Sequence, residues 1–95
     1  MKQHAVLEEK VKRYEGMLNK ALKAFEMSPQ ENSHLRKVAE DFSNMAGSYY
    51  GDGVHFLEDK DMVNALVCFS YGHAWLDAGV KLGIFKVSDE NLFTI

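Results

Sequence analysis

Ninety-five residues, 46% of them hydrophobic and only one of them proline, are enough for one small domain with a modest core. The single cysteine, Cys68, excludes an intramolecular disulfide and suits a reducing compartment, and the acid-rich N-terminus does not resemble a secretion or import signal. Residues 1–27 hold six basic and four acidic side chains, whereas the remainder holds five and ten. This distribution gives no basic stripe, so a nucleic-acid partner is not expected. The cysteine usage and the N-terminus predict a cytoplasmic protein, and no membrane partner is expected.

The first predicted helix covers about residues 3–26. Apolar side chains recur there every three or four positions, which is typical of a helix with one buried face. Glu8 and Lys12 form an i,i+4 pair on the opposite, solvated side. The apolar positions are Leu7, Val11, Tyr14, Leu18, Leu22 and Phe25.

A second helix is predicted over about residues 29–58. Ser28 can cap it, Pro29 suits the first helical position, and Glu31 can complete a capping box. Gly53 falls within the apolar stripe of this helix, which indicates close approach by a neighbouring helix. The stripe consists of Leu35, Val38, Phe42, Met45, Tyr49 and Phe56.

A third helix is predicted over about residues 62–84, with Asp61 as its N-cap. The short connection before it makes the second and third helices an antiparallel hairpin. With the turn at residues 59–60, facing residues have numbers that sum to about 119.

The residues from Ser88 onward are predicted to form an irregular tail with an apolar end. A solvated tail has no reason to carry three large apolar groups, so we expect this one to fold back on the bundle. The predicted fold is therefore all-α: an antiparallel three-helix bundle with an ordered C-terminal tail, without a sheet, in one domain spanning residues 1–95. The apolar residues of the tail are Leu92, Phe93 and Ile95.

The third helix is apolar on more than one side. Residues 62–76 contain no charged side chain, yet the run is too short and too polar to cross a membrane. Projected at 100° per residue, it shows two apolar stripes about 140° apart, whereas two neighbouring helices in a triangular bundle lie only roughly 60° apart. We therefore expect the tail or a second protein molecule to cover the second stripe. The first stripe is Leu66, Phe69, His73, Leu76 and Val80; the second, the candidate interface, is Cys68, Tyr71, Trp75 and Leu82.

Two pairs of polar side chains, Asp52 with His55 and His73 with Asp77, have the spacing at which two ligands can meet one metal ion. The antiparallel register separates the pairs by about six residues, or roughly 9 Å. We therefore predict no metal or cofactor. In the preferred interpretation Asp52 bonds Tyr71 or Ser70 across the hairpin, and Asp77 either orients His73 or meets a cation from the first helix. The alternative is a small-ligand or metal site built from Asp52, His55, Tyr71, His73 and Asp77.

No catalytic residue is predicted. Cys68 has no basic side chain three or four positions away, and Ser43 and Ser70 lack the sequence of a nucleophile elbow. The glycines on either side of Lys81 follow no strand, so they do not predict a phosphate-binding loop. The sequence therefore favours a protein that is not an enzyme.

Several short motifs carry a family resemblance. They are Tyr49 to Asp52, Tyr71 to Asp77 within the pattern YxHxWLDA, Leu82-Gly83 and the closing LFTI. In these motifs the chain resembles an archaeal family called domain of unknown function number three hundred and fifty-seven. The resemblance implies a spectrin-repeat-like three-helix bundle from an archaeon, and it implies no activity. Gly53 and Lys60 depart from the pattern, which loosens the second helix and the turn after it.

These observations predict a non-catalytic module that self-associates or binds another protein through the third helix. The motivation is the second apolar stripe, because large exposed apolar patches on soluble proteins usually mark interfaces. The runner-up is the small-ligand or metal site described above. A third possibility is an RNA-associated helper that acts through basic residues of the first helix, Lys12, Lys20 and Lys23.

Overall fold

The computed structural model describes residues 2–93, whose Cα atoms extend over 50 × 24 × 16 Å. The predicted all-α three-helix bundle is confirmed. Two short strands, which were not predicted, pair antiparallel with Phe25 opposite Val87 and Met27 opposite Phe85. The elements are helices α1 (Lys2–Ala21), α2 (His34–Glu58) and α3 (Met62–Leu82), strands β1 (Phe25–Met27) and β2 (Phe85–Val87), and a 3-10 turn at Glu90–Leu92.

The connection between α1 and α2 differs from the prediction. Helix α2 begins at His34, and its N-cap is Ser33, whose Oγ accepts a hydrogen bond from the backbone N–H of Arg36 at 3.0 Å. The backbone N–H of Ser28 instead donates to the carbonyl oxygen of Ile84 at 2.9 Å. The capping-box prediction was wrong because the residues before Pro29 are held by a partner far away in the sequence.

The sheet has a simple physical cause. The rings of Phe25 and Phe85 pack with their centroids 4.3 Å apart, and Phe85 is almost completely buried. Gly83, at φ 81°, ends α3 in the left-handed conformation that glycine favours, which turns the chain toward β2. The prediction of a structure without a sheet was therefore wrong, since three-residue strands have no periodicity that could reveal them.

The hairpin of α2 and α3 agrees with its predicted register. The side chain of Asp61 accepts a hydrogen bond from the backbone N–H of Asn64 at 3.2 Å, as an N-cap does. Across the hairpin, Phe42 packs against Trp75, Tyr49 against Tyr71 and Tyr50 against Phe69. The numbers of each pair sum to within about two of 119, as the short turn requires.

Small residues let two helices pack closely against α3 between its predicted stripes. Ala65, Gly72 and Gly79 are buried at every seventh position along the helix. A Cβ atom on Gly72 would lie 3.0 Å from the side chain of Leu18 on α1 and 3.1 Å from Cβ of Tyr49 on α2. Because α1 and α2 approach α3 this closely between the stripes, they cover the first stripe and part of the second, while Tyr71 and Leu82 of the second stay exposed.

The second predicted stripe is covered only in part. Trp75 is half-buried, and its ring meets that of Phe42 edge-on with the centroids 5.0 Å apart. Cys68 is buried as well, with 8% of its surface exposed. Helix α2 covers Trp75 through Phe42, and Cys68 lies near Asp52 of the same helix, so neither the tail nor a second molecule is needed there.

The C-terminal tail folds back as predicted, as far as it is described. Phe93 is buried, Leu92 packs against the core, and the ring centroid of Phe93 lies 6.1 Å from that of His73. Ile95, the last apolar residue of the predicted tail, lies outside the described residues. The tail thus covers the end of the first stripe rather than the second.

Candidate functional site: the outer face of the third helix

The side of α3 that points away from both neighbouring helices is apolar and exposed. Val63 and Val67 are 61% and 58% exposed, and Tyr71 is 48% exposed. A shallow depression of about 480 Å³ lies over this side of the helix, lined by Leu66, Val67, Ser70, Tyr71 and Ala74. We call the exposed residues Val63, Val67, Ser70, Tyr71 and Ala74 the outer face.

The outer face exists because α3 is apolar all round. Helices with apolar side chains on every side are normally buried on every side. Here α1 and α2 cover two sides, while the third stays open in the described chain, without a single charge between Met62 and Leu76. Contiguous exposed apolar residues of this kind mark interaction surfaces.

A groove between α1 and α3 continues the outer face. Its volume is about 190 Å³, and it shares Ser70 and Ala74 with the depression described above. One end is polar, since Nδ1 of His73 lies 3.2 Å from Oδ2 of Asp77. The groove is lined by Tyr14, Met17, Phe69, Ser70, His73, Ala74 and Asp77.

The imidazole of His73 offers only one of its nitrogens to a polar partner. Its Nδ1 faces Asp77, whereas Nε2 is buried and has no hydrogen-bond partner among residues 2–93. The His73 side chain as a whole is 13% exposed and that of Asp77 is 21% exposed. Because Nε2 is shielded, it cannot reach an ion or a substrate in the groove without a rearrangement of the side chain.

The other polar residues predicted to form a site with this pair lie elsewhere. His55 is exposed near the end of α2, where Nε2 lies 3.6 Å from a carboxylate oxygen of Asp59. Asp52 is exposed on α2, and Tyr71 packs edge-on against Tyr49 with the centroids 4.8 Å apart. Within residues 2–93, no three His, Cys, Asp or Glu side chains are grouped so that they could hold a metal ion.

The environment of Cys68, close to Asp52, disfavours a reactive thiolate. Burial raises the pKa of the Cys68 thiol, and the negative charge of Asp52 raises this pKa further. Both effects disfavour the thiolate, which is the nucleophilic form. The site therefore keeps the thiol protonated and shielded.

The predicted interface residues and the observed outer face overlap only partly. Tyr71 and Leu82 are exposed, at 48% and 64%, while Cys68 and Trp75 face α2. The prediction missed Val63, Val67 and Ala74. The signal that would have found them is the charge-free run itself, since fifteen helical residues without a charge leave no side of a helix polar.

Charges of opposite sign flank the outer face. On the α1 side, Nζ of Lys10 and Cζ of Arg13 lie 6.0 and 5.9 Å from the ring centroid of Tyr14, which lines the groove. On the α2 side, Asp52 lies close enough to Cys68 to act on its pKa. The outer face thus has a basic rim and an acidic rim.

No helix in the described part of the chain is both long and apolar enough to cross a membrane. A search of curated proteins gave no significant match. The crystal structure of protein AF1782 from Archaeoglobus fulgidus, a DUF357 protein, superimposes with a TM-score of 0.73 at 22% identity, covering 90% of this chain and 99% of that chain. At this identity the likeness shows the fold alone.

The family assignment has independent support in the sequence. Residues 13–85 match the family model described as "Protein of unknown function (DUF357)". This region contains α2, α3 and the whole of the YxHxWLDA and Leu-Gly motifs, and it covers well over half of the chain. The protein therefore belongs to the DUF357 family.

Proposed function

We propose that this protein is a non-catalytic interaction module whose binding surface is the outer face of α3. The observation that carries the proposal is the exposure of Val63 and Val67, each more than half exposed, on a helix that bears no charge over this segment. Burying one valine completely contributes roughly 1.5 to 3 kcal/mol. Several such residues in one row therefore favour association with another apolar surface.

The spacing of the outer face suits a helical partner. Val63, Val67, Ser70 and Ala74 follow one another at intervals of four, three and four residues, the repeat by which one helix packs along another. They extend over roughly 16 Å at 1.5 Å per residue. A partner helix of about three turns would cover this row.

We propose no catalytic role for this protein, and the surroundings of two candidate nucleophiles support this. Ser70 lines the same groove as His73 and Asp77, but Nε2 of His73, the atom that would have to accept the serine proton, is buried and has no partner in the described part of the chain. The thiol of Cys68 is buried and its pKa is raised. Neither residue is arranged as an activated nucleophile.

We also propose a cytoplasmic location and an archaeal source. A single unpaired and buried thiol suits a reducing compartment. The structural relative described above comes from an archaeon.

Site-specific photo-crosslinking tests the proposed surface. A benzophenone side chain at position 67 of the full chain, in an extract of the source organism, is expected to give discrete adducts with protein. A benzophenone at exposed Asn44 on α2 serves as the control. Unlabelled wild-type chain should suppress the adducts at position 67, whereas unlabelled Val67→Asp chain should not. Equal adducts from both positions, or equal competition by both chains, would contradict the proposal.

A second candidate function is small-ligand binding in the α1–α3 groove. It is favoured by one observation: Tyr14, His73 and Asp77 line the same cavity of about 190 Å³. Zn²⁺ tests the metal version of this candidate in a thermal-shift measurement. We expect no saturable rise of the melting temperature, and a rise that His73→Ala and Asp77→Ala both abolish would make ligand binding the first function.

A further inference from the structure

Resting on the proposed function, we infer that the occupant of the outer face is a second copy of this chain. The two copies form a symmetric dimer whose twofold axis runs parallel to α3. The inference follows from the signs and positions of the charges that flank the outer face, together with the small residues at its centre.

The basic rim belongs to α1. Lys10 and Arg13 are exposed, and both lie about 6 Å from the ring of Tyr14. Tyr14 lines the groove opposite Ser70. The two cations therefore lie beside the outer face, within about one helical turn of the level of Ser70.

The acidic rim belongs to α2. Asp52 is exposed, and its charge raises the pKa of Cys68, so Asp52 lies close to Cys68. Because Cys68 is only two residues from Ser70, Asp52 lies within about one turn of the level of Ser70, on the other side of α3. Asp41, also exposed, precedes Asp52 by eleven residues, close to three full turns, so both lie on the same side of α2. Tyr49, packed against Tyr71, joins this rim to the outer face.

Symmetry converts these two rims into complementary surfaces. A twofold axis parallel to α3 and between the two copies places α1 of each copy opposite α2 of the other. Lys10 and Arg13 of one copy then face Asp52 of the other, and the same contact occurs a second time by symmetry. An axis perpendicular to α3 would instead place the basic rims opposite each other, which is unfavourable.

The centre of the outer face suits a second α3. Ser70 and Ala74 are small, exposed and four residues apart, so the backbones of two helices can approach closely there. Val63, Val67 and Tyr71 surround them with apolar surface. A suitable partner must be apolar in the middle with an acidic rim on one side and a basic rim on the other, and this chain itself meets that description.

Sedimentation equilibrium of the purified full chain tests the inference. We expect a monomer–dimer equilibrium that weakens with added salt, because the rims are exposed to solvent. Val67→Asp should raise the dissociation constant at least about tenfold, since it places a charge in the apolar centre. The control Glu40→Lys, at an exposed position of α2 turned about 100° or more away from the acidic rim, should leave the dissociation constant unchanged.

Charge reversal tests the direction of the axis. The double variant Lys10→Glu with Arg13→Glu, and separately Asp52→Lys, should each weaken the dimer. Combining all three substitutions in one chain should restore it, and an equimolar mixture of the two weakened chains should form mixed dimers. Circular dichroism melting checks that every variant is folded, which their exposed positions favour.

Failure of this inference is distinguishable from failure of the proposed function. A wild-type chain that stays monomeric, a dimer insensitive to Val67→Asp, or charge reversals that fail to rescue each other would overturn the symmetric dimer. In those cases adducts from position 67 with a different protein would still support the interaction module. If position 67 gives no specific adducts either, both are wrong.

Discussion

The inner and outer sides of α3 are both apolar, yet only one of them is core. On the inner side, Gly72 lets Leu18 of α1 and Tyr49 of α2 come within about 3 Å of where its Cβ would be. On the outer side, Val63 and Val67 protrude, and no described part of the chain covers them. Hydrophobicity alone therefore does not separate a core from an interface; the placement of small residues, which decides where neighbours approach, does.

The largest expected effect comes from the inner side. Phe69 is fully buried and its ring fills the space left by Gly53 of α2, so Phe69→Ala should reduce the free energy of unfolding by roughly 3 to 5 kcal/mol. Val67→Ala on the outer face is the control and should change it by less than about 0.5 kcal/mol. Urea denaturation measures both values. Similar losses of unfolding free energy at positions 69 and 67 would contradict the distinction between the inner and outer sides of α3.

The tail provides the next largest effect. Phe93 is 7% exposed and packs near His73, so Phe93→Ala should reduce the free energy of unfolding by roughly 2 to 3 kcal/mol. Because Phe93 is buried and does not belong to the outer face, this substitution should not strengthen or weaken association through that face. Urea denaturation and sedimentation, run on the same variant, check the two statements. An unchanged stability would mean that the tail is free in solution.

The spacing between helices can be tested at the glycines. Gly72→Leu would push Leu18 and Tyr49 apart and should reduce the free energy of unfolding by roughly 1 to 3 kcal/mol. The matched control is Gly47→Ala on α2, where nothing lies within 4 Å of an added Cβ. It should stabilise the protein by about 0.5 to 1 kcal/mol through higher helix propensity. Effects of the same sign at both glycines would refute the close approach.

The smallest expected effect concerns pH. The pKa of the Cys68 thiol is raised by burial and by Asp52, so the native state holds this proton more tightly than the unfolded state. The resulting stabilisation is complete below the unfolded-state pKa and is lost as pH rises through the higher native-state pKa. Denaturation curves between about pH 8 and 11 should show a decline in stability that is smaller in Cys68→Ala. An equal decline in both chains would show that the loss of stability comes from other groups. Tyr50 is one of them, because burial and Glu15 also raise its pKa.

Local features of the sequence predicted the α2–α3 hairpin well. A three-residue connection and the cap at Asp61 determine both the direction and the register of the two helices. The α1–α2 connection was predicted poorly, since the conformation of Phe25 depends on Phe85, which only the folded chain brings near. Similarly, projection of α3 revealed its apolar stripes but not that Gly72, between them, would admit both neighbouring helices.

For the candidate site, the sequence identified the correct helix and part of the correct face. Tyr71 was predicted and is exposed, whereas Trp75 was predicted and is covered by Phe42. Which side of an apolar helix remains open depends on how its neighbours pack against it. That information is present in the spacing of Ala65, Gly72 and Gly79, but it can be interpreted only once the positions of α1 and α2 are known.

The pairing of β1 with β2 has a consequence for the order in which the chain folds. It closes a loop of about sixty residues, so its entropic cost is met only after the local α2–α3 hairpin is in place. The ladder is only three residues long, whereas α1 is held on α3 by the buried side chains of Val11 and Leu18, so the strands can open while α1 stays packed. Native-state hydrogen exchange should therefore show the amides of β1 and β2 exchanging faster than those in the middle of α3.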